Sequence, residues 1–511
     1  MEEEYSDNKS GFLNRIERVG NKLPHPVILF VILALIVVVV SEIAFRLNLS
    51  ANYFDSQAAE NVTVYANTLM SKEGISYIFN SSIKNFTGFA PLGTVLVTML
   101  GVGVAESTGL ISSGLKRLIQ SVPDNLLTMV VVFAGVMSSI ASDAGYVVVI
   151  PLGAIVFASA GRHPLAGLAA AFAGVSCGFS ANLLIGPNDA LLTGITNAAL
   201  ESSGINYEMA VTGNWYFMIA STFLLTIVGS IVTQKITEPR LGEYTGDYLP
   251  ENKPLTAQES KGLRNAMISL LVFVGILAIM LVPENGALRS IDPDTGAMTI
   301  AEFMNNGFIF AIFLLFFIPG AVYGITIGEI KNSSDLVEGM TEAMKSMAGY
   351  IVLAFFAAQF INYFSFTNLG TILSVNGAKF LESISFTGFP LIIAFIVLAM
   401  FLDLFLGSAS AKWAIMAPIF VPMLFQLGLT PELTQASYRI ADSVVNVITP
   451  LMSYFAMVLV FMKRYDKKSG LGTLISTMLP YSMSFFASWV LLLGIWYFFN
   501  IHLGPGAPIT F

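Results

Sequence analysis

Asp143-Ala-Gly-Tyr146-Val-Val-Val-Ile-Pro151 and Ser410-Ala-Lys-Trp413-Ala-Ile-Met-Ala-Pro418 are two versions of one pattern, with an aromatic residue five positions before a proline in each. Each version is followed downstream by a second shared pattern. Ser180-Ala-Asn-Leu-Leu-Ile-Gly-Pro187 matches Ser443-Val-Val-Asn-Val-Ile-Thr-Pro450, both with seven positions from serine to proline. Charged, small and helix-breaking residues recur here in apolar surroundings, where an unpaired charge or backbone group is costly. A duplicated pair of interrupted hydrophobic segments points to the binding site of a secondary transporter.

Composition agrees with a membrane location. Of 511 residues, 55% are hydrophobic and only 11% charged, and the mean hydropathy is +0.74. Soluble domains carry about 25% charged residues, so an all-α polytopic membrane protein embedded in a lipid bilayer is expected. The net charge of −8 argues against a nucleic-acid partner. The single cysteine, Cys177, excludes an intrachain disulfide and reads as a small buried hydrophobe. The residues before Pro24 lack the short basic start of a cleaved signal peptide, so 27–47 reads as a retained first span.

Hydropathy predicts nine transmembrane helices, near 27–47, 84–118, 164–199, 213–234, 264–282, 304–329, 341–366, 433–465 and 473–500. Two of these, 164–199 and 433–465, are overlong and interrupted by Gly, Pro and Asn, and are read as broken helices. Two further apolar regions, 127–160 and 385–427, divide at the polar tips Ser138-Ser-Ile-Ala-Ser-Asp-Ala-Gly145 and Gly407-Ser-Ala-Ser-Ala-Lys412. Each half is short for about 30 Å of hydrocarbon, so both regions are read as re-entrant helical hairpins. With the N-terminus cytoplasmic, Arg46, Lys72, Lys84, Arg289 and Lys379 fall outside, Lys412 and Arg439 lie at membrane depth, and 18 of the 25 basic residues fall inside. That bias supports the topology and places the C-terminus outside.

An odd number of crossings separates the two repeats, so they are expected to be inverted, with their hairpin tips meeting from opposite faces. The predicted organisation is a scaffold at 1–83, a first repeat at 84–199, scaffold and dimerisation spans at 200–340, a second repeat at 341–465, and a last span with the C-terminus at 466–511.

Ionisable groups at membrane depth are the candidate chemistry: Asp143, Asp189, Asp403, Asp442, Lys412 and Arg439, with Glu106 a weaker member. Ser138, Ser139, Ser142, Asn182, Asn188 and Asn446 supply oxygens beside them. With Asp143 and Asp403, all of these but Asn188 are candidate ligands for a coupling Na⁺, the alternative coupling ion being H⁺, and Asn188 is a candidate substrate contact. No cofactor and no other metal is expected. Half-helix N-termini attract substrate carboxylates. Arg439 and Asp442 share a helix face three residues apart. They read either as an intrahelical ion pair or as a carboxylate-binding guanidinium with a separate acid for an amine, a proton or Na⁺. Trp413 at a tip could stack on an aromatic ring.

Through Ser142–Pro151, Gly186-Pro-Asn-Asp-Ala-Leu191, Gly407–Trp413 and Arg439-Ile-Ala-Asp-Ser443, the chain resembles the AbgT family of p-aminobenzoyl-glutamate transporters over nearly its whole length. The resemblance implies a homodimer of nine-span, two-hairpin protomers in a bacterial inner membrane. It also implies transport roles for Asp189, Ser410, Trp413, Pro431, Arg439 and Asp442. A carboxylate at Asp403, where the family pattern suggests an amide, implies an altered cation site. Implied substrates are anionic aromatics of p-aminobenzoyl-glutamate type, with sulfonamide export in some members. An enzyme is disfavoured: His25, His163 and His502 all lie at flanks, no H-E-x-x-H occurs, and Gly-x-Gly-Asp is absent. A channel remains the other alternative.

Overall fold

The structure is a computed structural model that describes residues 26–511 except 56–59, 121–122, 124–125, 142–144, 247–253, 292–297, 301, 304–306, 405, 407, 450–451 and 453. Among the described residues, seven helical segments are long and apolar enough to cross a membrane: Val27–Arg46, Lys72–Ser107, Trp215–Leu241, Ala257–Leu281, Phe308–Ile327, Ala348–Phe366 and Leu471–Phe498. The outer surface of Ala257–Leu281 exposes Met267, Ile268, Leu271, Val272, Ile276 and Ile279 in a continuous apolar stripe. In water such a stripe would be an aggregation site; in a bilayer it is the solvated face.

The two overlong segments are interrupted as expected. In the first, Pro164–Phe172 runs into a π-helical turn, Ala173–Cys177, and helix resumes only at Pro187–Ser202. In the second, Pro431–Val445 stops before Asn446, and helix resumes at Phe455–Tyr465. Proline opens Pro164–Phe172, Pro187–Ser202 and Pro431–Val445, where its missing N–H costs nothing because that donor would be unpaired anyway. The two hairpin regions are likewise pairs of short helices. One pairs Leu127–Met137 with Ile150–Ser159 through a 3₁₀ turn, Ser138–Ala141, and a π turn, Gly145–Val149. The other holds Gly388–Asp403 and Ala409–Gln426 in succession. The repeats are not identical: Pro151 opens a helix, whereas Pro418 and Pro422 lie inside one.

Close backbone contact fixes the first hairpin on the first broken helix. A Cβ on Gly174 would fall 2.4 Å from the Val132 carbonyl oxygen, and one on Gly135 would fall 2.8 Å from the Gly174 Cα. Only glycine lets these two segments touch main chain to main chain, as small residues do in membrane helix packing.

Several boundaries differ from the sequence reading. The stretch 84–118 is not one continuous helix. Lys72–Thr87 ends at Gly88, Ala90–Ser107 follows with Pro91 in its first turn, and Gly109, at φ 80°, separates Leu110–Gln120. The span at 341–366 also divides. Ser333–Ser346 is capped by Asn332, whose side chain accepts from Ser334 and Asp335 amides, and Ala348–Phe366 is a separate helix. The segment between this span and the second hairpin, read as a connection, forms the helix Leu369–Ser383. The loop 48–83 holds an antiparallel hairpin, Ser50–Asp55 with Glu60–Tyr65, as well as most of Lys72–Thr87. After the last helix the chain folds back, and the amide of Phe511 donates to Gly428 O while that of Thr430 donates to Ile509 O. That return strap pins the joint between the second hairpin and the second broken helix.

Candidate substrate and ion site

A cavity of about 360 Å³ lies where the two hairpin tips meet. Ser139 lines it from the first tip, and Ser408, Ala409 and Ser410 line it from the second. Pro187 and Asn188, at the start of the resumed half of the first broken helix, lie between them, with Val95, Met99, Phe179, Leu191, Met347 and Tyr350 closing the walls. The volume falls in the range of small-molecule sites. Two helices, Pro187–Ser202 and Ala409–Gln426, begin at this cavity, so two partial positive charges converge on it. In the second helix the Ser408 hydroxyl already accepts from the Ala411 amide at 3.4 Å.

Charge is packed beside the cavity in two clusters. In the first, Arg439 Nη1 donates to Asp189 Oδ1 at 2.7 Å. The other carboxylate oxygen of Asp189 accepts from the Gly186 amide at 2.8 Å and from Asn182 Nδ2 at 3.2 Å. Asp189 thereby closes the open end of its own helix while balancing a charge from Pro431–Val445. Arg439 Nε donates to Gln435 Oε1 at 3.2 Å, and the Gln435 amide in turn reaches Thr196 Oγ1 at 2.8 Å. Arg439 is 1% exposed, and its Nη2 has no protein partner. A buried guanidinium with a spare donor is equipped for a further acceptor.

The second cluster joins Asp403, Lys412 and Asp442. Lys412 Nζ lies 2.7 Å from Asp442 Oδ1 and also contacts Asp403 Oδ1. Tyr438 Oη donates to the Ala409 carbonyl at 2.5 Å and approaches Asp442 Oδ1 at 3.4 Å. Arg439 and Asp442 therefore do not pair with each other. Each takes a partner from a different element, so their common helix, Pro431–Val445, is an ionic hub between Pro187–Ser202 and Ala409–Gln426.

Trp413 is fully buried in this conformation. Its ring stacks on Tyr438, with centroids 4.5 Å apart and planes 27° apart. Its Nε1 donates to Thr196 Oγ1 at 3.0 Å and to Leu192 O at 3.2 Å. The expected aromatic partner is thus a protein ring here, and Trp413 ties the second hairpin to the first broken helix.

The remaining sequence candidates divide clearly. Asn188, Ser139 and Ser410 line the cavity. Ser138 is buried behind it, its hydroxyl donating to Gly135 O at 2.6 Å. Asn182 holds Asp189, and Asn446 follows the last turn of Pro431–Val445. Pro431 opens that helix, two turns before Arg439, in an architectural position. Ser142 and Asp143 lie outside the described residues. The sequence reading missed Tyr350, whose buried hydroxyl has no protein partner and which lines the cavity. It also missed Gln435 and Tyr438, although both stand one helical turn from a named charge, Arg439 and Asp442 respectively.

The family model described as the "AbgT putative transporter family" matches residues 11–511. The p-aminobenzoyl-glutamate transport protein of Escherichia coli (strain K12) is 40% identical over 502 residues, covering 98% of this chain and 97% of that protein. The chain belongs to the AbgT family. Two solved relatives share its fold. The Alcanivorax borkumensis YdaH transporter, whose crystal structure is described as having an unusual topology, is 43% identical with a TM-score of 0.87, over 94% of this chain and 100% of that one. Neisseria gonorrhoeae MtrF, described with a class of antimetabolite efflux pumps, is 45% identical with a TM-score of 0.90, over 97% and 100%. These AbgT relatives are named as transporters and efflux pumps, not as enzymes. Together with the apolar helices, membership identifies a multi-pass membrane transport protein.

Proposed function

We propose that this chain is a secondary active transporter of p-aminobenzoyl-glutamate-type folate catabolites, driven by a Na⁺ or H⁺ gradient. The observation that carries the proposal is the cavity lined by both hairpin tips, because a site built from two repeats can be opened to either side by moving one against the other. Two helix N-termini suit a dicarboxylate, and the apolar wall of Val95, Met99, Phe179 and Leu191 suits an aromatic ring. The transport protein of Escherichia coli, named for this substrate, supports the same class. Likeness to MtrF, one of a class of antimetabolite efflux pumps, supports a second reading, in which the same fold exports sulfonamide antimetabolites.

The reading includes nine spans and two re-entrant hairpins in inverted repeats, a homodimer, and a bacterial inner membrane with the N-terminus cytoplasmic and the C-terminus outside. Seven long apolar helices plus two interrupted segments support the span count.

Substituting Ser410→Leu tests the cavity. The added side chain projects from a residue that lines it, so equilibrium binding of p-aminobenzoyl-glutamate to the purified protein should weaken at least about tenfold, equivalent to roughly 1.4 kcal/mol. Thermal stability should change little, since Ser410 is only partly buried and its hydroxyl meets that of Ser408 at 3.3 Å. Wild-type affinity in this variant would place the substrate elsewhere.

A further inference from the structure

The second charge cluster has the form of a cation site. Asp403 ends one limb of the second hairpin, Lys412 stands in the first turn of the other limb, and Asp442 lies on the second broken helix. All three are buried, at 0%, 1% and 2% exposure. The first turn of a helix is where a cation is least favoured, because the exposed amides there carry positive partial charge. Lys412 occupies that position all the same, reaching carboxylates on both sides. Helix energetics do not account for its location; the two carboxylates do.

Among the described residues, nothing else nearby supplies a balancing positive charge. Arg439, on the same helix as Asp442, is committed to Asp189. Leu471–Phe498, which packs against Pro431–Val445, contains no charged residue. On Leu369–Ser383, packed against the other face of Ala409–Gln426, Lys379 donates outward to the Asn52 carbonyl. Tyr438 contributes only a neutral hydroxyl.

We propose that Asp403, Lys412 and Asp442 form a monovalent-cation site that the chain fills with its own ammonium, Lys412 standing where a free Na⁺ would otherwise bind. A tethered ammonium carries the same charge as Na⁺, meets the same two carboxylates and cannot dissociate. The joint between the hairpin and the broken helix is therefore held without a solute ion, and occupancy does not vary with Na⁺ concentration. Removing the ammonium leaves oxygens facing one another, which is the ligand set that hard monovalent cations prefer. The bearing of this site on transport rests on the carrier reading above, but its test reads ion binding alone and stands apart from flux.

The experiment compares melting of the purified full-length chain in NaCl and in choline chloride at equal ionic strength, followed by tryptophan fluorescence. The difference between the two salts in wild type sets the baseline. Lys412→Gln should acquire a Na⁺-specific rise of several degrees that grows with Na⁺ concentration, the signature of a ligand bound only by the folded state. That variant buries two carboxylates with no counter-ion, so the double variant Asp403→Asn/Lys412→Gln serves as its partner. With one carboxylate left it restores the wild-type net charge of the cluster, and it too should gain the Na⁺ response. A Na⁺-specific shift no larger than that of wild type, in whichever of the two variants folds, would overturn the proposal. Loss of substrate transport in wild type would instead count against the carrier reading and leave these melting results to stand or fall by themselves.

Discussion

Arg439→Ala is expected to abolish substrate flux and to destabilise the protein by about 3–5 kcal/mol, the usual cost of stripping one partner from a buried ion pair. Asp189 would keep its bonds from Asn182 and the Gly186 amide but lose its 2.7 Å contact with the guanidinium, deep in the protein. Gln435 would lose a donor as well. The double variant Arg439→Ala/Asp189→Asn separates the two effects. It should recover most of the melting temperature, because no unpaired charge remains, yet stay inactive, because the spare Nη2 donor has gone. Recovery of both stability and flux in the double variant would show that Arg439 only neutralises Asp189. Lysine at 439 should rescue stability in part and flux poorly, since an ammonium lacks the planar fork.

Asp442→Asn should separate folding from transport in the opposite sense. The substitution leaves Lys412 and Asp403 as a neutral pair, so the melting temperature should hold or rise. What is lost is the ionic link from the second hairpin to the second broken helix, through Lys412 at 2.7 Å, and the weaker tie to Tyr438. If that contact holds the second helix pair in register during transport, flux should fall roughly 30-fold or more, about 2 kcal/mol on the transport barrier. Flux in reconstituted vesicles and melting in detergent, measured on the same preparation, give both numbers. Wild-type flux would remove Asp442 from the transport machinery.

Interruptions were the most legible part of the fold. Gly186-Pro187 predicted a stop and restart, and helix does resume at Pro187 with Asp189 three residues into it. The serine-rich tips at 138–139 and 408–410 also bring both repeats to one cavity. Less legible was Leu369–Ser383, whose mixed polar and apolar residues resemble a connection until its apolar side is seen packed on the second hairpin. Partner choice was the least legible feature. Arg439 and Asp442 share one helix face, which invites an intrahelical pair, yet the acid that binds Arg439 is 250 residues away on another helix. Local periodicity carries no information on a contact made by the docking of distant helices. Trp413 shows the same limit: its place near a tip was readable, but the Tyr438 ring that covers it belongs to another helix.

Accumulation of radiolabelled p-aminobenzoyl-glutamate in proteoliposomes, with Na⁺ and pH gradients imposed separately and in both directions, bears most directly on the central claim. A carrier built around the two-tip cavity should give saturable movement of substrate against its own concentration gradient, collapsing when the driving gradient is dissipated. Flux that ignores both ion gradients, fails to saturate and appears as conductance steps would contradict it and point to a channel.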